Sequence, residues 1–243
     1  MSQTMHFAFH CKEPEAGCNR SVAVVGAGPS GLAAAGFLAC KGCSVTVLDK
    51  LPAPGGLMTH AIPGYRLPAE RIARGVQELK DMGVSFSPNT KVSSCKPLKS
   101  EEGDQFVQEV VSLDELVHEF DAVLVCTGAW KPRPLNIPGA ELPGVVSALA
   151  FLVPMRAENI PDSPVKAVDV AGKDVLVVGA GHTAMDACHT AMMRGARTLH
   201  LAYRRGRNDA PCGQLALQEV EEDGGRFHEY FSPLRVLGQD RVE

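Results

Sequence analysis

Hydrophobic and polar positions fall into two rhythms along this chain. A short unbroken apolar run at 22–25, and mainly apolar stretches at 44–48, 121–126 and 198–202, have the length and composition of strands in a parallel sheet. Segments with helical spacing follow the first run, from Gly31, and recur at 69–82, with a further strand-like stretch around Val84. Between these lie two stretches too rich in Gly and Pro for regular structure. Residues 52–68 read PAPGGLMTHAIPGYRLP, and 131–143 form a Pro-rich connection where the domain is expected to change. Residues 173–204 then repeat the order of 21–50, strand, glycine turn, helix, strand, so two related βαβ units are predicted.

Each unit carries a glycine motif at its first turn. In SVAVVGAGPSGL the spacing Gly26-x-Gly28-x-x-Gly31 opens a helix, with Ala27, Pro29 and Ser30 between the glycines. The first glycine permits the tight turn, the second lets backbone approach a pyrophosphate, and the third lets helix and strand pack closely. The helix N-terminus offers its free N–H groups to phosphate. The second strand ends in Asp49, followed by Lys50, about 20 residues beyond the motif, where a carboxylate meets ribose hydroxyls. An acid there disfavours a 2′-phosphate, so the first site suits FAD or NAD.

The long Gly/Pro segment favours FAD. Gly55 and Gly56 would wrap an extended cofactor beside Leu57, and Arg66 is a candidate partner for its phosphates, the alternative being a surface salt bridge. Thr127 and Gly128, closing the apolar run at 121–126, would let backbone lie against the dinucleotide.

In the second unit Gly179-x-Gly181-x-x-Ala184 tolerates a methyl group at its last position. His182 and Asp186 on the first helical turns are expected to cap the turn or face the nucleotide, and Thr183 lies beside them. Arg204 and Arg205 stand where the first unit has its acid. Two guanidinium groups suit a 2′-phosphate, so this site is expected to take NADPH, with NADH as the alternative. A solvated cluster of Arg204, Arg205 and Arg207 is the competing reading.

Composition narrows the class further. Of 243 residues, 45% are hydrophobic and 21% charged, as in an ordinary globular chain. A net charge of −4 gives no footprint for nucleic acid and no polybasic membrane anchor, and no secretory leader or spanning segment is evident, so a cytoplasmic protein is expected. Eight cysteines are scattered irregularly, which reads as reduced thiols. The spacing of Cys40 and Cys43 is taken as coincidence around a helix-ending turn at Lys41-Gly42. Cys11 and Cys18 fall two thiols short of a four-ligand cluster and would need ligands from another chain.

Taken together, GAGPSGLAAAGFLA, PGGLMTHAIPGYRLP, CTGAWKPRPLNIPG, VVGAGHTAMDACHTAMMRGA and YRRGR resemble one family. It is the FAD/NADPH module shared by the small (beta) chain of NADPH-dependent glutamate synthase, the N-terminal half of dihydropyrimidine dehydrogenase and related ferredoxin:NADP oxidoreductase subunits. The resemblance runs from about residue 20 to 238. It implies an α/β fold of two Rossmann-like, glutathione-reductase-type three-layer domains. These would be an FAD-binding domain at 21–135 and an NAD(P)H-binding domain at 136–243, the second incomplete, after an N-terminal extension at 1–20.

The same resemblance implies hydride exchange between NADPH and FAD and onward transfer to iron-sulfur clusters of a partner, with no catalytic side chain and no metal of its own. Its FAD site would use Gly26 to Gly31, Asp49, Gly56, Leu57, Arg66 and the backbone near Val92 and Thr127. Its NADPH site would use Gly181, His182, Thr183, Arg204 and Arg205. Family members carry a cysteine-rich N-terminal segment and return to finish the flavin domain, whereas this sequence stops at Glu243. A partner chain completing the FAD site is therefore expected. A nucleotide-binding structural subunit with lost catalysis is the alternative. A thioredoxin-reductase-like disulfide reductase would need a paired cysteine that Cys188 lacks.

Overall fold

The structure is a computed structural model and describes residues 5–8, 11, 15, 17–94, 101–158, 160, 163–238 and 242. Cys95, one of the eight cysteines, lies outside the described residues. The chain forms two compact units, residues 1–131 with 156–165, and residues 132–155 with 166–243.

The first unit is built on a parallel sheet of β1 (Ser21–Val25), β2 (Ser44–Leu48), β3 (Ser85–Ser87) and β6 (Ala122–Val125), in the order β3-β2-β1-β6. Val22 pairs with Val45 on one side and Ala122 on the other, so the middle strand is buried on both faces, as an unbroken Val/Ala run requires. Helix α1 (Pro29–Cys40) connects β1 to β2 and buries Leu32, Ala35 and Ala39, one face at helical spacing. Helix α3 (Ala69–Asp81) buries Ile72, Val76 and Leu79 in the same core.

The other side of the sheet is covered by a two-stranded parallel pair, β4 (Thr90–Ser93) and β5 (Glu109–Ser112), followed by α4 (Leu113–Glu119). Val92 and Val111 pack there against Ala23 and Val25. Ser112 and Glu115 close a capping box at the start of α4, satisfying two backbone N–H groups that a helix start otherwise leaves open.

Two expectations need correction here. The segment at 52–68 is not wholly irregular, because a one-turn helix, α2 (Leu57–His60), forms after Gly56. The N-terminal stretch is not a mere extension either. Phe7 is buried in the first core, and its backbone lies so close to α1 and α3 that a Cβ on Gly36 would sit 2.5 Å from Phe7 O, and one on Gly75 2.1 Å from Met5 O.

The second unit has a parallel sheet ordered β7 (Asp174–Val178), β8 (Thr198–Tyr203), β9 (Arg226–Glu229). Helices α6 (His182–Met193) and α7 (Gln214–Glu222) cover one face, with Met185, Cys188, Ala191, Leu199, Leu201 and Leu217 at the centre of its core. Phe151, Leu152 and Met155 of helix α5 (Ala148–Ala157) join that core. Leu176 and Val178 point away from it and are 59% and 44% exposed.

Close packing at the first glycine turn makes a stability prediction. A Cβ on Gly31 would stand 1.8 Å from Gly26 O, a backbone atom with no rotamer to yield. Gly31→Ala is expected to cost about 2 kcal/mol and lower the melting midpoint by about 6 °C, read by thermal denaturation.

Candidate functional site

The first site forms where β1, β2 and β6 end. Gly26, at φ +105°, turns the chain out of β1, and its N–H donates to Leu48 O at 2.7 Å. A Cβ on Gly26 would lie 2.4 Å from Cys126 O and 3.1 Å from Thr127 Cα, so the backbone leading to Gly128 presses directly on the turn. Gly55 N–H donates to Ala27 O at 2.7 Å, and a Cβ on Gly56 would sit 2.8 Å from Gly28 Cα. The Gly/Pro segment thus folds onto the glycine turn, a contact only glycine permits at Gly56, with φ +55°. At Gly28 and Gly128 an added Cβ would meet nothing within 4 Å, so backbone faces open space where a pyrophosphate would lie.

Asp49 is fixed through both main-chain and side-chain atoms. Its N–H donates to Ser87 O (3.0 Å), and its carbonyl accepts from Thr90 N (2.8 Å). Oδ2 accepts from Ala27 N (2.5 Å) and Oδ1 from Leu51 N (2.8 Å). Burial raises its pKa, opposed by those two backbone donors and the nearby charges of His60 and Lys50. Each carboxylate oxygen has a second lone pair, so Asp49 holds the glycine turn and retains acceptor capacity for ribose hydroxyls.

Lys50, expected at the cofactor, turns elsewhere. Its Nζ donates to Glu102 O (2.7 Å), pairs with Asp104 (3.3 Å), and lies 4.1 Å from the centre of the Trp130 ring. Lys91 shares the same carboxylate at 2.5 Å. Burial works to raise the Asp104 pKa, but the Lys91 hydrogen bond, the Glu101 backbone N–H and both lysine charges outweigh it and hold the group below the usual range. Stability from this ionised form is present above the unfolded carboxylate pKa and is lost as pH falls through the lower folded value. Asp104→Asn is therefore expected to lower stability by about 1 kcal/mol at neutral pH. That deficit should shrink as pH falls below the ordinary aspartate value of about 3.9, measured as melting midpoints across the acid range.

Of the remaining first-site residues, Pro29 and Ser30 open α1, Leu57 opens α2 half-buried, and Arg66, Thr127 and Gly128 are exposed. Val92 faces the core side of the β4–β5 pair. Two residues carried no signal in the sequence reading. His60 is buried, with Nε2 2.9 Å from Ala53 O, and burial lowers its pKa, opposed by that bond and by Asp49. Arg156 donates from Nε to Thr59 O (3.0 Å) and from Nη2 to Leu67 O (3.1 Å), tying the middle of the Gly/Pro segment to its end from far along the chain.

The second site has the same framework and opposite chemistry. Gly179, at φ +120°, leaves β7, and its N–H donates to Ala202 O (2.9 Å). Gly181 is the N-cap of α6 and has no side chain to offer the first turn. His182 and Thr183 are exposed at the helix start and Asp186 is buried. A Cβ on Gly179 or Gly181 would meet nothing within 4 Å. Beyond β8, Arg204 and Arg205 are exposed. Arg207 is not part of that cluster. Its guanidinium grips Glu221 through two bonds of 2.6 and 3.0 Å and lies 5.1 Å from the Phe227 ring centre. Cys188 is fully buried, and burial with the neighbouring Cys212 pushes its pKa up to about 12, which leaves an unreactive thiol there.

The family model described as pyridine nucleotide-disulphide oxidoreductase matches residues 20–240. The glutamate synthase (NADPH) small chain of Azospirillum brasilense is 38% identical over 212 residues, covering 85% of this chain and 41% of that protein. The NADP(+)-dependent formate dehydrogenase subunit beta of Moorella thermoacetica is 32% identical over 222 residues, covering 90% of this chain and 28% of that one. The chain spans about half or less of the length of the curated relatives it matches. Among solved structures, FprA of Mycobacterium tuberculosis superposes with a TM-score of 0.68 at 20% identity, over 95% of this chain and 63% of that one. Thioredoxin reductase of Lactococcus lactis does so at 0.58 and 16% identity, over 92% and 69%. Both likenesses confirm the parallel α/β dinucleotide fold.

Proposed function

The chain belongs to the pyridine nucleotide-disulphide oxidoreductase family, and from that premise we propose that it is a flavoprotein electron-transfer subunit exchanging hydride between NADPH and FAD. One observation carries the reading. Two glycine turns of the same construction are followed, at the end of the next strand, by a half-buried carboxylate in one unit and by two exposed guanidinium groups in the other. Half-buried Asp49 accepts hydroxyls and repels a 2′-phosphate, whereas Arg204 and Arg205 attract one.

The chain's own residues bind and orient. The first-turn N–H groups of α1 and α6 meet phosphate, each helped by the positive end of its helix dipole. Gly56 and Gly128 admit backbone close to an extended cofactor, and Arg156 holds the segment that carries Gly56, Leu57 and Arg66 in one conformation. His182 and Thr183, on the first turn of α6, would lie at the nicotinamide nucleotide's phosphates. Flavin, when bound, supplies the capacity to take a hydride and release single electrons, so no acid or base from the protein is required.

The relatives named as subunits support a partner chain; that partner bears the iron-sulfur centres that receive the electrons, and the assembly works in the cytoplasm. The test is anaerobic addition of NADPH to the FAD-loaded protein, followed by flavin absorbance. Bleaching by NADPH supports the reading. A protein that takes up no flavin, or one whose flavin stays oxidised, is a nucleotide-binding structural subunit instead.

A further inference from the structure

Two pairs of cysteines tie the N-terminal segment to the end of α1. Cys11 is disulfide-bonded to Cys40, which corrects the expectation of uniformly reduced thiols. Further along, Cys18 Sγ lies 2.7 Å from Cys43 Sγ, and both are half-buried free thiols. Cys40 and Cys43 are therefore not partners of each other, and Cys11 and Cys18 find their partners within this chain rather than in another.

The backbone holds the second pair in place from both sides. Glu15 N–H donates to Cys40 O (2.8 Å), and its carboxylate forms an ion pair with Lys41. Gly42, at φ +75°, ends α1, and a Cβ there would meet Glu15 O at 2.3 Å. Cys43 N–H donates to Leu38 O (3.1 Å), and Ser44 N–H to Arg20 O (2.8 Å). The two sulfurs therefore stand in contact on a fixed turn, and closing from 2.7 Å to a bond of about 2.05 Å needs only a small side-chain movement.

We propose that Cys18 and Cys43 are a redox-active dithiol that exchanges with a low-molecular-weight disulfide, closing a second cross-link beside Cys11–Cys40. The Cys18 thiolate attacks one sulfur of the external disulfide. A mixed disulfide forms on Cys18 as the external bond breaks, and the first thiolate leaves and takes a proton from solvent. Cys43 gives its proton to solvent and attacks the Cys18 sulfur, so the Cys18–Cys43 bond forms as the second thiolate leaves. Two protein thiols are oxidised and one disulfide is reduced to two thiols.

The order of attack follows from the contact. The hydrogen bond with Cys18, and then burial, push the Cys43 thiol above its ordinary range, so Cys43 keeps its proton until the second step. The cross-link would fasten the segment containing Cys11 and Cys18 across the turn from α1 to β2. Those elements begin at the glycine turn and end at Asp49, so the dithiol sits at the far end of the helix–strand pair that frames the first site. In a reducing compartment such a pair acts as a sensor rather than a permanent staple.

The test places the full chain in graded mixtures of oxidised and reduced glutathione, alkylates the remaining thiols, and maps peptides by mass spectrometry. Cys18 and Cys43 should vanish together from the alkylated pool as oxidised glutathione rises. They should reappear as one linked peptide pair lighter by two hydrogens, and return together on reduction. Cys43→Ser should leave Cys18 holding a glutathione that no longer resolves. Independent alkylation of Cys18 and Cys43 in every mixture would overturn the proposal, as would an unresolved glutathione on Cys18 of the parent chain. Added zinc that protects Cys11, Cys18, Cys40 and Cys43 together until a chelator is supplied would overturn it in favour of a metal site.

Discussion

Asp49→Ala is expected to yield protein that loses FAD during purification, with affinity lowered by about 100-fold or more. Two effects combine. The substitution removes the carboxylate placed for the ribose hydroxyls, and it strands the Ala27 and Leu51 N–H groups that the side chain now satisfies. A buried donor left unpaired costs about 1–3 kcal/mol, so the glycine turn should loosen as well, and thermal melts should show a lower midpoint in the apo protein. Asp49→Asn separates the effects. Its amide keeps one acceptor for Leu51 but turns a donor toward Ala27 or toward ribose, so it should retain more of the fold than of the FAD affinity. The readout is flavin content per chain together with the apo melting midpoint. Full flavin retention in Asp49→Ala would remove this residue from the site.

The second large effect is expected at the other nucleotide. Arg204→Ala combined with Arg205→Ala should weaken NADPH binding by about 100-fold while leaving NADH within about threefold of the parent value. Among the described residues neither guanidinium has an ion pair of the kind that ties Arg207 to Glu221, and both are exposed, so the melting midpoint should hardly move. Arg207→Ala is the useful contrast, because it breaks a two-bond grip on α7 and should change stability more than nucleotide preference. Equal losses for NADPH and NADH in the Arg204/Arg205 variant would sink the 2′-phosphate assignment.

The nucleotide-binding framework was legible wherever local pattern and chemistry coincide. The strand at 44–48, the glycine turns and the helix from 69 each combine a period with a stop signal, and each forms within a residue or so of expectation. The start of α4 was equally readable in principle, since Ser112 and Glu115 stand at capping-box spacing, but the short β4–β5 pair around it has too little pattern to announce a layer. The one-turn helix α2 was hidden by the glycines before it. Gly56 looks like a helix breaker in sequence and serves instead as the N-cap of that turn.

What the sequence withheld was mostly long-range. Nothing local says that Arg156 will bond the carbonyls of Thr59 and Leu67, or that Phe7 will enter the core against Gly36 and Gly75. The cysteine contacts were hidden for the same reason. Cys40 and Cys43 are close in sequence, yet each finds its sulfur partner in the N-terminal segment, because the helix-ending turn directs both side chains to the chain that crosses it. Lys50 was expected at the cofactor beside Asp49, and its side chain reaches Asp104 and Trp130, a contact no local pattern announces.

The central claim is that one chain carries two nucleotide sites of opposite charge preference. Its most direct test is calorimetric titration of the full chain with FAD and with NADPH, each alone and each after saturation with the other. Two independent sites predict one equivalent of each ligand per chain, with the second ligand still binding when the first is in place. Mutual displacement at a single site, or failure of either ligand to bind, would contradict the account.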